Sequence, residues 1–209
     1  MTTGTKIDLT KSLDGYRARA GEFRLVDLPE TRYLAIDGHG DPNTDPAYAA
    51  ALEALYPVAY ALKFASKREL DRDYVVPPLE GLWWADDMDA FTTARDKSRW
   101  DWTMLILIPE WIQDALVEAA IAAVRAKKAP ARLDDLRTLS LSEGLCVQTL
   151  HVGSFDDEAP LLERLHDEVI PEQGLRLAGL HHEVYLSDAR RVAREKRRTI
   201  LRQPVAPPD

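Results

Sequence analysis

The chain has 209 residues, 45% of them hydrophobic and 30% charged, with 27 Lys and Arg against 35 Asp and Glu and a net charge of −8. That balance supports a buried core and excludes a disordered chain, and the acidic surplus opposes phosphate backbones and anionic lipid, so neither nucleic acid nor a membrane is expected as a partner. The one cysteine, Cys146, excludes an intrachain disulfide and, within Leu145-Cys146-Val147, reads as a small hydrophobe. Residues 1–6 lack the apolar core of a signal peptide, and no apolar stretch nears the roughly 20 residues that span a bilayer, so the expected location is cytoplasmic.

Residues 23–28 and 33–36 read as two short strands about Pro29, followed by a glycine loop, Gly38-His39-Gly40-Asp41-Pro42. Over 45–65 the residues Tyr48, Ala51, Leu52, Leu55, Ala59 and Leu62 recur at three and four, with Asp45 as cap and Pro46 first inside, so a helix is expected, bent at Pro57. Residues 74–76 and 79–84 have strand composition, and 102–108, closed by Pro109, reads as a buried strand. A helix is expected over 110–127, ending on Lys127 and Lys128, where cations suit its dipole. Strand 145–153, helix 158–170, and strands 181–186 and 199–204 follow.

Strand-helix-strand-strand thus occurs twice at an offset of about 100 residues, which predicts an α+β fold of two pseudo-symmetric modules, about 23–109 and about 137–205, joined by the 110–127 helix. In each third element a glutamate opens an aromatic strand: Glu80 before Leu82-Trp83-Trp84, and Glu183 before Tyr185. Superposing them places Glu80 on Glu183, with both carboxylates expected at a cleft along the twofold axis. Alternation puts Glu183, Tyr185 and Ser187 on one face, and Glu80, Leu82 and Trp84 on one face opposite Gly81 and Trp83. Trp84 is expected to stack on a flat ligand, with Trp102 second, and Trp83 to pack behind the sheet.

The other motifs are bland. The five histidines show no metal-ligand spacing, and no phosphate loop, dinucleotide fingerprint or nucleophile elbow is present, so neither metal nor cofactor is expected. The basic run Arg190, Arg191, Arg194, Lys196, Arg197, Arg198 and Arg202 reads as a solvated face.

The segments 33–43 (YLAIDGHGDPN), 73–84 (DYVVPPLEGLWW), 143–153 (EGLCVQTLHVG) and 181–188 (HHEVYLSD), with 6–9, 100–109 and 196–205, resemble the gyrase-inhibitor-like (GyrI-like) small-molecule-binding domain in its stand-alone bacterial members. The resemblance implies one domain over 1–209, with two modules forming a concave antiparallel sheet, helices packed on it and a ligand cleft, and it matches the family's second-module glutamate to Glu183. Relatives of this kind are effector-binding halves of regulators, gyrase protectors, or hydrolases of genotoxic cyclopropyl-indoles. The loop and the Leu-Glu-Gly-Leu-Trp-Trp strand are most similar to the hydrolytic branch.

The expected activity is therefore hydrolysis of a strained cyclopropane in a planar toxin, with Glu183 as base for water and Glu80 or Tyr185 as proton donor. Trp84, Trp102, Leu82 and Ser187 would line the ligand. The alternative is a binder that sequesters aromatic or cationic drugs without turnover.

Overall fold

The computed structural model describes residues 6–86 and 96–208; residues 1–5, over which no export signal was expected, lie outside them. After a short turn, α1 (Leu9–Ser12), capped by the Asp8 side chain, the chain forms β1 (Arg24–Leu28), β2 (Thr31–His39), α2 (Pro46–Glu69), β3 (Leu79–Trp84) and β4 (Asp101–Ile108). There follow α3 (Asp114–Lys127), β5 (Arg137–Leu141), β6 (Gly144–Val152), α4 (Ala159–Glu163), a π turn (Arg164–Val169), α5 (Ile170–Glu172), β7 (Arg176–Leu177), β8 (His181–Tyr185) and β9 (Arg198–Ala206).

The α2 helix begins where its signals lie, with the Asp45 carboxylate accepting from the Ala47 amide at 2.8 Å and Pro46 in the first turn. Pro57 sits inside it without ending it. Its ring removes one backbone hydrogen bond, but Ala54, Leu55, Val58 and Ala59 on either side are buried against the sheet and hold the helix. Each fully buried Leu or Val contributes about 1.5–3 kcal/mol. The connector helix starts at Asp114 rather than 110, because residues 109–113 form a turn closed by the Ile112 amide on the Pro109 carbonyl. Residues 74–76 are not a strand; Tyr74 makes a single parallel bridge to Ile7.

The strands form one antiparallel sheet in the order β1-β6-β9-β8-β3-β4-β2-β5, with β7 on the far end of β9. β1 and β2, though adjacent in sequence, do not pair with each other; β1 adds to β6 of the other half, and β5 adds to β2. Yet only residues 29–30 join β1 to β2, and only 142–143 join β5 to β6. Such links span about 10 Å, so the two ends of the sheet must meet. They do so on one side, where Ser142 donates to Glu30 at 3.0 Å, and the sheet curls around that side. The curled interior holds Tyr33, Leu82, Leu105, Leu107, Val184 and Ile200, covered by Leu9 and Tyr16 of the N-terminal segment. On the opposite face α2, with α3 packed against it, buries Leu34, Ile36, Trp102, Met104 and Ile106, and the Arg164–Val169 turn and α5 bury Leu165 and Ile170 beside Val147 and Val205.

The halves correspond strand by strand. Tyr33 opposite Leu107 in β2/β4 matches Cys146 opposite Pro204 in β6/β9, and Leu82 opposite Thr103 in β3/β4 matches Val184 opposite Ile200 in β8/β9. This register superposes Trp83 on Tyr185, Glu80 on His182 and Gly81 on Glu183. Gly81 and Glu183 also face each other directly in the β3–β8 ladder, so the pseudo-twofold axis passes between them.

Candidate functional site

The expectation that Glu80 meets Glu183 is corrected by one residue. Glu80 pairs with Val184 and Gly81 with Glu183, and directly opposed residues share a face, so the two carboxylates lie on opposite sides of the sheet. Their similar sequence contexts suggested equivalence, but a shift of one position exchanges every face of a strand. Glu183 stands alone on the axis because its counterpart is a glycine. A Cβ on Gly81 would lie 2.8 Å from Trp83 Nε1 and 2.7 Å from Met104 Cε, so the position is closed to a larger side chain without movement of both.

Over this strand pair a cleft opens between α2 and the α4 turn, part of a hollow of about 2320 Å³ that extends to the N-terminal segment and the end of α3. Its floor is Glu183, Tyr185 and Trp83; its walls include Tyr48 and Tyr56 of α2, and Phe155, Glu158 and His166 opposite. Trp83 Nε1 donates to the Tyr185 hydroxyl at 2.9 Å, while Trp100 meets Trp83 edge-on at 5.7 Å and Phe155 meets Tyr185 at 5.6 Å. The Tyr185 oxygen accepts from Trp83, and its hydroxyl interacts with Glu183. Burial first, then the Glu183 charge, holds the Tyr185 hydroxyl well above its usual pKa, and burial with the same charge raises Tyr48.

Glu158, at the N-terminal end of α4, is 4% exposed. Burial and the charge of Glu183 push its carboxyl pKa up to about 10, so it is a neutral acid at pH 7. Beyond it, His181 Nε2 lies 3.6 Å from Glu183 Oε1, and His166 meets His181 edge-on at 6.1 Å. Burial, then the His181 charge, lowers His166 to about 4. His166 sits in the π turn, a helix form that often marks functional positions.

The remaining expected residues divide. Ser187 borders the cleft, with its hydroxyl accepting from the Arg198 amide at 3.0 Å. Trp83 faces the cleft instead of packing behind the sheet. Trp102 shares that face but is fully buried beneath Tyr48, its Nε1 donating to the Gly40 carbonyl at 3.2 Å, and only a glycine at 38 leaves room for its ring. Leu82 and Trp84 point with Glu80 to the other face and pack in or against the curled interior, Trp84 reaching the cleft only at its rim.

Glu80 itself belongs to a closed ionic network. Tyr16 donates to Glu80 at 2.5 Å, and His182 Nε2 lies 3.0 Å from Glu80, close enough for an ion pair though off the hydrogen-bond direction. His182 Nδ1 meets Glu143 at 2.9 Å, and Arg202 donates to Glu143, to Gln148 and to the Gly15 carbonyl. Burial opposes the Glu143 carboxylate, but His182 and Arg202 overcome it and hold its pKa at about 2. Burial likewise opposes a charged His182, and Glu143 outweighs it, so its pKa is raised. Two acids and two bases balance, which leaves the network no charge to offer a ligand.

Residues 21–205 match the GyrI-like small molecule binding domain family. The chain belongs to that family. An uncharacterized conserved protein from Listeria innocua is 35% identical, with a TM-score of 0.86, covering 96% of this chain and 100% of its own. A hydrolase from Listeria innocua is 34% identical over the same shares, with a TM-score of 0.82. The EcmrR C-terminal domain, 10% identical with a TM-score of 0.56 over 90% of this chain and 98% of its own, shares the fold alone. No curated protein matches the chain. Among the described residues of this GyrI-like chain no helix is long and apolar enough to cross a membrane, and no group of three or more His, Cys, Asp or Glu is placed to hold a metal ion.

Among the cleft residues of the GyrI-like chain that escaped the sequence reading are Glu158, His166 and Trp83. Glu158 reads as an ordinary acidic helix start, where a carboxylate suits the dipole, and nothing in its neighbours marks it as buried. His166 has no partner at helical spacing in sequence; its partner comes from a strand. For Trp83 the signal was present, since alternation separates it from Glu80, but the wrong glutamate was used to choose the face.

Proposed function

We propose that the protein hydrolyses the strained ring of planar cyclopropyl-indole compounds held in the aromatic cleft. The feature that carries this reading is the buried Glu158 carboxyl lining the same cleft as Glu183, its pKa raised by burial and by the Glu183 charge. A protonated acid next to a carboxylate is the pairing that ring opening by water requires. The hydrolase from Listeria innocua, similar over nearly the whole chain, supports the same direction.

In this reading the planar ligand lies over Trp83 and Tyr185, between Tyr48 and Phe155. Glu183 takes a proton from water while the water oxygen bonds to the ring CH₂. The strained C–C bond breaks, and its electron pair turns the conjugated dienone into an aromatic phenolate. Glu158 protonates that phenolate, and the proton gained by Glu183 passes to Glu158 to restore the starting state. Glu80 has no part in this, being on the other face, and Tyr185 holds Glu183 instead of protonating the ligand. The test is mass analysis after incubation of a cyclopropyl-indole with a small molar fraction of the protein. Gain of one water by the whole ligand pool is expected; a ligand recovered unchanged would sink the proposal.

One feature favours a second reading, binding without turnover. Glu183 among Tyr48, Trp83, Trp100, Phe155 and Tyr185 also suits an aromatic cation, through counter-charge and cation–π contact. Saturable binding with unchanged ligand mass is the outcome that selects it.

A further inference from the structure

Four buried polar atoms of residues lining the cleft with Glu183 have no hydrogen-bond partner among the described residues: Glu158 Oε1, His166 Nε2, and both ring nitrogens of His181. Buried polar groups are normally satisfied, and unmet groups along one cleft wall need an occupant. The His181 Nε2 to Glu183 Oε1 separation of 3.6 Å is too long for a direct hydrogen bond, and it suits two groups sharing one water. A buried water needs two to four polar partners, and Glu183 and His181 supply two.

From this geometry, and resting on the hydrolytic reading above, we propose that His181 binds the nucleophilic water against Glu183. Alternation of β8 turns His181 into the cleft and sends His182 to the ionic network behind the sheet, so the tandem histidines have separate tasks. The His166 ring, edge-on to His181, limits its rotation and keeps Nε2 beside Glu183. The wall of Trp83 and Tyr185 leaves the water this polar corner, beside the place where a flat ligand stacks. His181 then orients a lone pair of the water at the ring carbon while Glu183 receives the proton.

The variants His181→Phe and His181→Gln test the assignment in the full-length protein. Phe keeps the edge-on packing against His166 and removes both nitrogens, while Gln returns a polar group near the position of Nε2. With a cyclopropyl-indole as probe, His181→Phe is expected to lower kcat by about 10²-fold with KM within about twofold, and His181→Gln to recover most of the loss. An unchanged kcat in His181→Phe, or a loss carried by KM and not restored by Gln, overturns the assignment. A high-resolution crystal structure of the ligand-free protein separates this from the hydrolytic reading. A water bridging His181 Nε2 and Glu183, with no turnover by the wild type, removes the hydrolysis and keeps the water site; a dry corner removes the water site whatever the activity.

Discussion

At the scale of single residues the cleft depends on two carboxyls and one glycine. Glu183→Gln keeps shape and stacking but removes the base, so turnover should fall by about 10² or more with affinity for a neutral planar ligand nearly unchanged. Steady-state kinetics beside fluorescence titration checks both halves of that statement. Glu158 must be protonated to act as the acid, so the rate should fall as pH rises through about 10, and Glu158→Gln should remove that limb from the pH–rate profile. The same raised pKa has a consequence for stability. A carboxyl that titrates near 4.5 when unfolded and near 10 when folded favours the folded state most below pH 4.5 and loses that contribution as pH rises toward 10. Glu158→Gln should accordingly raise the melting temperature more at pH 8 than at pH 5, and an equal shift at both would show that Glu158 is not held neutral. Gly81→Ala forces a Cβ to within 2.8 Å of Trp83 Nε1. Loss of the Trp83–Tyr185 hydrogen bond and about 1–3 kcal/mol of stability are expected, read as a shifted tryptophan emission and a lower denaturation midpoint.

At the scale of elements, what fastens the N-terminal segment to the curled sheet is the network of Tyr16, Glu80, His182, Glu143 and Arg202. Glu143 has a lowered pKa, so its contribution is present above about 4.5 and is lost as pH falls toward 2. His182 has a raised pKa, so its contribution is present below 6.5 and is lost as pH rises through its folded value. The two windows overlap between 4.5 and 6.5, where thermal melts should place the network's greatest effect. Glu143→Gln should lower the melting temperature most within that window and flatten the acid limb; a loss independent of pH would contradict the linkage. Glu80→Gln should lower stability while leaving cleft affinity within about twofold, because Glu80 faces away from the ligand. The elements themselves were largely legible: Asp45-Pro46 opened α2, the apolar 102–108 run became β4, and the strand-helix-strand-strand order appeared in both halves. The register between halves was not, because the Glu80 and Glu183 contexts look alike in sequence while only the ladder decides which residue lies opposite which. β5 was not read either, being a five-residue, mostly exposed edge strand whose alternation is confined to Leu139-Ser140-Leu141. Glu158 and His166 were invisible as site residues because their burial comes from segments far away in the chain.

At the scale of the whole molecule the two modules are exchanged at their edges. β1 belongs by sequence to the first half and pairs with β6 of the second, while β5 precedes the second half and pairs with β2 of the first. Between them β3 and β8 join the halves at the centre of the sheet, directly under the cleft. Neither half can therefore complete its sheet alone: without the other it would expose an unpaired β3 or β8, an unpaired outer strand and the apolar curled interior. The cleft divides in the same way, taking Tyr48, Tyr56 and Trp83 from one half and Phe155, Glu158, His166 and Glu183 from the other. Unfolding is then expected to be one cooperative transition, with tryptophan emission, whose five sources all lie between residues 83 and 111, in the first half and the turn after it, and far-ultraviolet circular dichroism, which reports both halves, falling along a single denaturant curve. Separate fragments covering 1–130 and 131–209 should lack a cooperative transition when each is prepared alone. Two resolved transitions in the intact chain, or an independently folded 131–209 fragment, would mean that the β1–β6 and β3–β8 ladders contribute little, and that the cleft is assembled by two units docking instead of by one continuous sheet.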